Sequence, residues 1–235
     1  MVALHDKGPD LIIVSGDITQ SATVSEFADA QAFLRDLPAP WLCIPGNHDL
    51  PGMDIERFTN PFGRYRRFIA EDLDPSFTSP LVDIKAINSA RKILPYWNWA
   101  NGGVSSQQCR ETAKFFTASK APWRMFVLHH PLVSARELPL DVKVMNRTAI
   151  LKTLKEHRID LVLAGHQHHA FTDVEEADGH KTIFLNASTT TSIRLRKQPN
   201  GFNLLTFTQK DLRIDLFRLH NQDFEIFEAF SYVKP

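Results

Sequence analysis

The chain of 235 residues carries only two cysteines, Cys43 and Cys109. With no C-x-x-C pair, the sequence offers neither a disulfide framework nor a cysteine-rich metal site. Cys43 sits in an apolar run and reads as a small core hydrophobe. Net charge is missing as well: Lys plus Arg and Asp plus Glu both number 27. That balance argues against a protein held to polyanions by bulk charge, so no nucleic-acid polymer is expected as a partner. No apolar run approaches the length of a membrane span, and no signal-peptide pattern opens the chain. A cytoplasmic protein without a membrane partner is the expectation. No linker-like segment and no internal repeat divides the chain, and 235 residues are enough to bury a core. One domain, residues 1–235, is therefore expected.

What the sequence does have is four short polar segments. They are Gly16-Asp17, Gly46-Asn47-His48-Asp49, His129-His130-Pro131 and Gly165-His166-Gln167-His168. Each follows an apolar run rich in β-branched or bulky residues, at 11–14, 41–44, 125–128 and 161–164. Such runs read as buried strands, and open α/β sheets place their sites at the carboxyl ends of strands. Asp, Asn and several His gathered on one edge form a donor set of mixed hardness. Imidazole suits Zn, Fe or Mn, while carboxylate and amide oxygens suit harder cations.

The rest of the chain alternates in the same way. Thr23-x-x-Glu26 is a capping box, and Phe27, Ala30, Leu34 and Leu37 follow at helical spacing. Strand 11–15, that helix and strand 41–45 predict a parallel βαβ unit. Further strands are expected at 82–87, 124–128 and 161–164. Further helices are expected near Pro61, from Ser105 to about Ser119, and behind an Asn146 N-cap to about His157. From 181 onward the period becomes two. Strands at 181–186, 202–208, 212–219 and 224–232, joined by tight turns, read as antiparallel.

Four polar segments in this order, each behind its own strand, resemble the calcineurin-like metallophosphoesterases. That family carries G-D, G-N-H-[DE], a His often in H-x-P, and G-H-x-H. Gly46-Asn47-His48-Asp49-Leu50-Pro51 and Phe62-Gly63-Arg64-Tyr65 add a likeness to its bacterial phosphodiesterase branch. The resemblance runs from about Asp10 to about Ser188. It implies a four-layer α/β/β/α sandwich of two mixed sheets, and hydrolysis of a small phosphate ester such as a phosphodiester or cyclic nucleotide.

The family's first motif, D-x-H on an earlier strand, is absent. Sixteen residues precede Asp17. Residues 1–7 look like the last turn of a helix, with Gly8 as its left-handed C′ residue and Pro9 as the stop. The expectation is a chain that starts inside the first helix of the fold, without the first strand and its two ligands. An unpaired flank on strand 11–14 would then favour a homodimer.

The resemblance also implies roles. Asp17 matches the carboxylate that bridges two divalent cations (Mn, Fe, Zn or similar). Asn47, His129 and His166 match ligands of the second cation, and His168 a ligand of the first. In the intact family a hydroxide bridging the two metals attacks phosphorus, and His48 matches the acid that contacts phosphate, beside Asn47. Asp49 would orient it or a nearby loop. With D-x-H absent, one well-formed metal site is expected rather than two, and an impaired metal-binding remnant or a scaffold stands as the alternative function.

Other residues keep two readings. His169 is a substrate contact or an exposed loop His. Arg64, Arg66 and Arg67 reach a phosphate or form a solvated helix face. Trp97 and Trp99 stack on a base or pack in the core. His130 is read as structural or as a support behind the metal ligands, and Asn186 and Ser188 as supports for the metal loops.

Overall fold

A computed structural model describes residues 2–52, 55–93, 100–134, 143–191 and 198–234. Helix α1 (Val2–Lys7) ends at Gly8, whose φ of +54° is the left-handed stop that the sequence predicts. Strand β1 (Ile12–Val14), helix α2 (Val24–Arg35) and strand β2 (Trp41–Cys43) form the expected parallel βαβ unit. Both halves of the Thr23–Glu26 capping box are made, so the start of α2 is set locally. A 3₁₀ turn spans Asn47–Asp49. Two short helices, α3 (Ile55–Thr59) and α4 (Gly63–Phe68), flank Pro61.

Strands β3 (Ser76–Thr78), β4 (Val82–Ile87) and β5 (Gly102–Gly103) lead to helix α5 (Ser106–Ala118). Then come β6 (Trp123–Leu128), β7 (Val144–Met145), helix α6 (Arg147–Glu156) and β8 (Leu161–Ala164). The chain closes with β9 (Phe171–Ala177), β10 (His180–Asn186), β11 (Gly201–Phe207), β12 (Asp211–His220) and β13 (Asp223–Val233). Asn146 takes the N-cap position of α6 in a left-handed conformation, but its side chain does not cap. Its Nδ2 donates instead to the Val104 carbonyl.

The main sheet is mixed, in the order β3-β4-β6-β8-β10-β9. Strands β4, β6, β8 and β10 run parallel, while β3 and β9 are antiparallel edges. This corrects the reading of 181–186 as part of an antiparallel meander. β10 pairs parallel with β8, and the strand at 171–177 that covers its other edge escaped the sequence reading. The true meander is β11-β12-β13, with a bulge between Leu216 and Phe217.

Both faces of the main sheet are covered. Along β6, Met125 and Val127 belong to one buried cluster and Phe126 and Leu128 to another. The first cluster also holds Leu42, Ile44, Leu212 and Ile214, so β2 and β12 lie against that face. The second holds Phe116 of α5 and Ile150 and Leu154 of α6. A third joins Phe27 of α2, Tyr65 of α4 and Cys43 of β2. The resulting layers are α5/α6, the main sheet, the smaller sheets, and α2/α4. The second sheet is not continuous: β1-β2 and β11-β12-β13 are separate hydrogen-bonded units among the described residues.

Candidate metal centre

Topology brings the four polar segments together. β1 and β2 are parallel neighbours, so Gly16-Asp17 and Gly46-Asn47 leave side by side. β6 and β8 are parallel neighbours in the facing sheet, so His129 and Gly165-His166 leave side by side as well. A hydrogen bond from Gly165 N–H to the His129 carbonyl (3.0 Å) ties the second pair of ends together.

At this meeting point His129 Nε2 lies 3.2 Å from Asp17 Oδ2, 3.2 Å from Asn47 Oδ1 and 3.2 Å from His166 Nδ1. His166 Nδ1 is 2.9 Å from Asn47 Oδ1. None of these distances involves His168, which follows on the same loop, half-buried, at φ +52°. Asp17 and His166 are also left-handed, at φ +56° and +67°. Each such residue costs of order 1–3 kcal/mol, so the surrounding contacts must impose it. Glycine is required beside them. A Cβ on Gly46 would stand 2.1 Å from Asp17 Oδ1, and one on Gly16 would stand 2.6 Å from His129 Nδ1.

Hydrogen bonds orient the rings. The Ser15 carbonyl can only accept, so His129 Nδ1 carries the proton across their 2.7 Å contact and Nε2 turns its lone pair to the cluster. His48 Nδ1 donates to the Gln20 carbonyl at 2.8 Å by the same logic, and the His48 backbone N–H donates to Asp17 Oδ1 at 2.9 Å. Asp49 is buried. Its carboxylate accepts from Gly46 N–H (2.8 Å), Thr19 N–H (2.9 Å), Thr19 Oγ1 (2.9 Å) and Ile18 N–H (3.3 Å). It clamps the loop after β1 to the loop after β2.

Charge is distributed unevenly. Burial alone would raise the Asp17 carboxyl, but His129, the His48 N–H and the His48 charge outweigh it and hold Asp17 well below the usual carboxylate range. Burial lowers His129, yet Asp17 and the Ser15 carbonyl prevail and raise it. Burial, then the charge of Asp17, pushes Asp49 up to about 6.

The remaining sequence expectations fall as follows. His169 is buried rather than an exposed loop residue, with Nε2 3.0 Å from Gln198 Nε2, so its ring is part of the packing. Asn186 donates to the His169 carbonyl at 2.8 Å, which is a support for the G-H-x-H loop. Arg64 is engaged by Glu56 and the Ala22 carbonyl, and Arg67 lies over Phe68, so this run is a paired helix face. Trp97 and Trp99 lie outside the described residues. Sequence reading set His130 aside as structural. It is fully buried against His129 and His166, and the three rings each offer a nitrogen within 4.8 Å of the other two. Its position directly after His129 was the available signal.

The family model for calcineurin-like phosphoesterases matches residues 2–170. The chain belongs to that family. It is 26% identical over 170 residues to a probable cyclic nucleotide phosphodiesterase of Synechococcus sp., covering 72% of this chain and 61% of that protein. It is 27% identical over 184 residues to a probable glycerophosphodiester phosphodiesterase of Arcobacter nitrofigilis, covering 77% and 63%. The chain thus spans about three-fifths of the length of these bacterial relatives. Among solved structures, a Danio rerio dimetal phosphatase superposes with TM-score 0.74 at 12% identity, over 100% of this chain and 87% of that one. A purple acid phosphatase of yellow lupin gives TM-score 0.73 at 14% identity, over 97% and 47%. These two share the α/β fold with its mixed sheet.

Proposed function

We propose that the chain is a metal-dependent phosphoric ester hydrolase whose preferred substrate is a small phosphodiester or cyclic nucleotide. The observation that carries this reading is the convergence of Asp17, Asn47, His129 and His166 within 2.9–3.2 Å, behind four strand ends. The donor set suits a divalent ion. One carboxylate held ionised, one amide oxygen and two imidazole nitrogens make a mixed N/O site of the kind Mn, Fe or Zn accept. A bound cation there supplies charge to a phosphoryl oxygen and acidifies water. The bacterial relatives named for phosphodiesters favour that substrate class over monoesters.

The protein's own groups do the rest. Asp17 and Asn47 hold oxygen donors at the mouth of the site, and glycines on either side let them approach. His48 projects from the turn beside Asn47, with Nδ1–H fixed on the Gln20 carbonyl. In this reading its ring carries a proton to the departing oxygen, a task suited to an imidazole. Asp49 keeps His48 and Asn47 in register with Asp17 by clamping the two loops.

One observation favours a second reading, a metal-binding chain with weak turnover. Among the described residues, one group of three or more histidine, cysteine or carboxylate side chains has mutually close donor atoms, and it is made of His129, His130 and His166. Hydrolysis by two ions needs a pair of sites about 3.5–4 Å apart. The test is a panel of a chromogenic phosphodiester, its monoester and cyclic AMP, with Mn²⁺ or Zn²⁺, for the chain and for Asn47→Ala. Metal-dependent diester turnover that the substitution abolishes supports the first reading. Metal uptake with no turnover above the Asn47→Ala background moves the conclusion to the second.

A further inference from the structure

Two residues of the G-H-x-H loop hold a left-handed backbone that histidine seldom adopts, His166 at φ +67° and His168 at φ +52°. Such conformations persist only where surrounding contacts over-determine them. The upstream anchor is the hydrogen bond from Gly165 N–H to the His129 carbonyl at 3.0 Å. The downstream anchor comes from far along the chain. It is Gln198, buried just ahead of β11. Its Oε1 accepts the Ala170 N–H at 2.7 Å, and its Nε2 donates to the Ala170 carbonyl at 3.2 Å. One side-chain amide thus pairs with both backbone groups of one residue, as an antiparallel strand neighbour does. Asn186, at the end of β10, adds a bond from Nδ2 to the His169 carbonyl at 2.8 Å. The left-handed pair is therefore held between fixed points at Gly165 and at His169-Ala170.

The same amide fixes the ring of His169. Because Oε1 faces an N–H, Nε2 is the donor end of Gln198, and an amide nitrogen carries two hydrogens. One goes to the Ala170 carbonyl and the other to His169 Nε2 at 3.0 Å. His169 Nε2 is then an acceptor, and the ring proton sits on Nδ1. That atom is buried and has no partner. Buried polar atoms are nearly always paired, so packing alone does not favour this tautomer. Gln198 dictates it, and the ring follows.

We infer that Gln198 is a positioning residue for the metal centre. By gripping His169 and Ala170 it imposes the left-handed turn that keeps His166 Nδ1 beside His129 Nε2 and Asn47 Oδ1. The inference rests on the metal centre proposed above and adds a residue outside its donor set.

The test combines ¹⁵N NMR of the histidine rings in the metal-free chain with Zn²⁺ titration of wild type, Gln198→Met and Gln198→Glu. In the wild type the His169 proton should appear on Nδ1. Gln198→Met, similar in length but without the amide, should lose that signature. It should also bind Zn²⁺ roughly 10- to 100-fold more weakly, the loss typical when a group supporting a metal ligand is removed. Gln198→Glu keeps an acceptor for the Ala170 N–H. It should draw the ring proton to His169 Nε2 and fall between the other two in Zn²⁺ affinity. A Gln198→Met chain that binds Zn²⁺ as tightly as the wild type would reduce Gln198 to a packing residue and overturn the inference. A wild-type His169 protonated on Nε2 would overturn it without any variant having to fold. A wild type that takes up no Zn²⁺ at all would instead defeat the metal centre, and the inference with it.

Discussion

Replacing Asp49 by Asn isolates a buried charge that joins the two loops of the site. Asp49 is 1% exposed and lies against the ionised Asp17. Burial and that neighbour lift its carboxyl from 3.8 to about 6. Between those two values the folded chain holds a proton that the unfolded chain has released. Stability must therefore fall as pH rises through the window. A displacement of this size is worth about 3 kcal/mol between about pH 4 and pH 7. Asn has the same shape and does not titrate, so its stability lacks this component. Asp17 works in the opposite sense. Its depressed carboxyl contributes stability above the unfolded value that is lost only as pH falls below about 4, outside the window. The raised His129 contributes below its unfolded value and loses that as pH climbs through the higher folded one; Asp17 is the main charge that raises it, and Asp49 adds a smaller part that the variant lacks. The assay is urea unfolding of the metal-free wild type and Asp49→Asn, read by tryptophan fluorescence at steps of pH. The wild type should lose about 3 kcal/mol relative to the variant from about pH 4 to pH 7. A difference that stays flat across the window would refute the buried-charge account of this loop clamp.

Three further outcomes follow from the same contacts. His48→Ala should keep its Zn²⁺ affinity within a few-fold while phosphodiester turnover drops about 10²- to 10⁴-fold, the range of a lost general acid. Equal loss of metal would make His48 a ligand instead. Gly46→Ala should weaken metal binding without unfolding the chain, because a Cβ there would stand 2.1 Å from Asp17 Oδ1. Unchanged Zn²⁺ affinity by calorimetry would mean that the loop has room to spare. Phe126→Ala should cost about 3–5 kcal/mol in denaturant unfolding, since this fully buried ring joins the main sheet to α5 and α6. A loss under about 1 kcal/mol would show that the cluster collapses around the gap.

The family assignment has the same physical root as the candidate site. Polar groups that follow buried parallel strands have to emerge at one edge, because adjacent parallel strands end side by side. That is why Gly16-Asp17 and Gly46-Asn47, or His129 and His166, were legible as companions before any coordinates. The capping boxes at Thr23 and Ser105 were legible for a nearer reason, since both partners lie within one helical turn.

Three features waited for the tertiary structure. Residues 181–186 read as an antiparallel strand, and β10 does pair antiparallel with β9, yet its other edge pairs parallel with β8, because a strand's own sequence says nothing of its neighbour's direction. Asn146 has the chemistry of a cap, but its amide is drawn off to Val104, a carbonyl 42 residues away. His130 and His169 are both histidines beside motif histidines, and nothing local tells them apart. A bend after β6 turns His130 onto His129 and His166, whereas Gln198 takes the ring of His169 into the packing. Period and local hydrogen bonding, which act over a few residues, determined the strands, the caps and the order of the motifs. The partner of each strand edge and the direction of each imidazole depended on groups far away in the chain, and only the folded structure decided them.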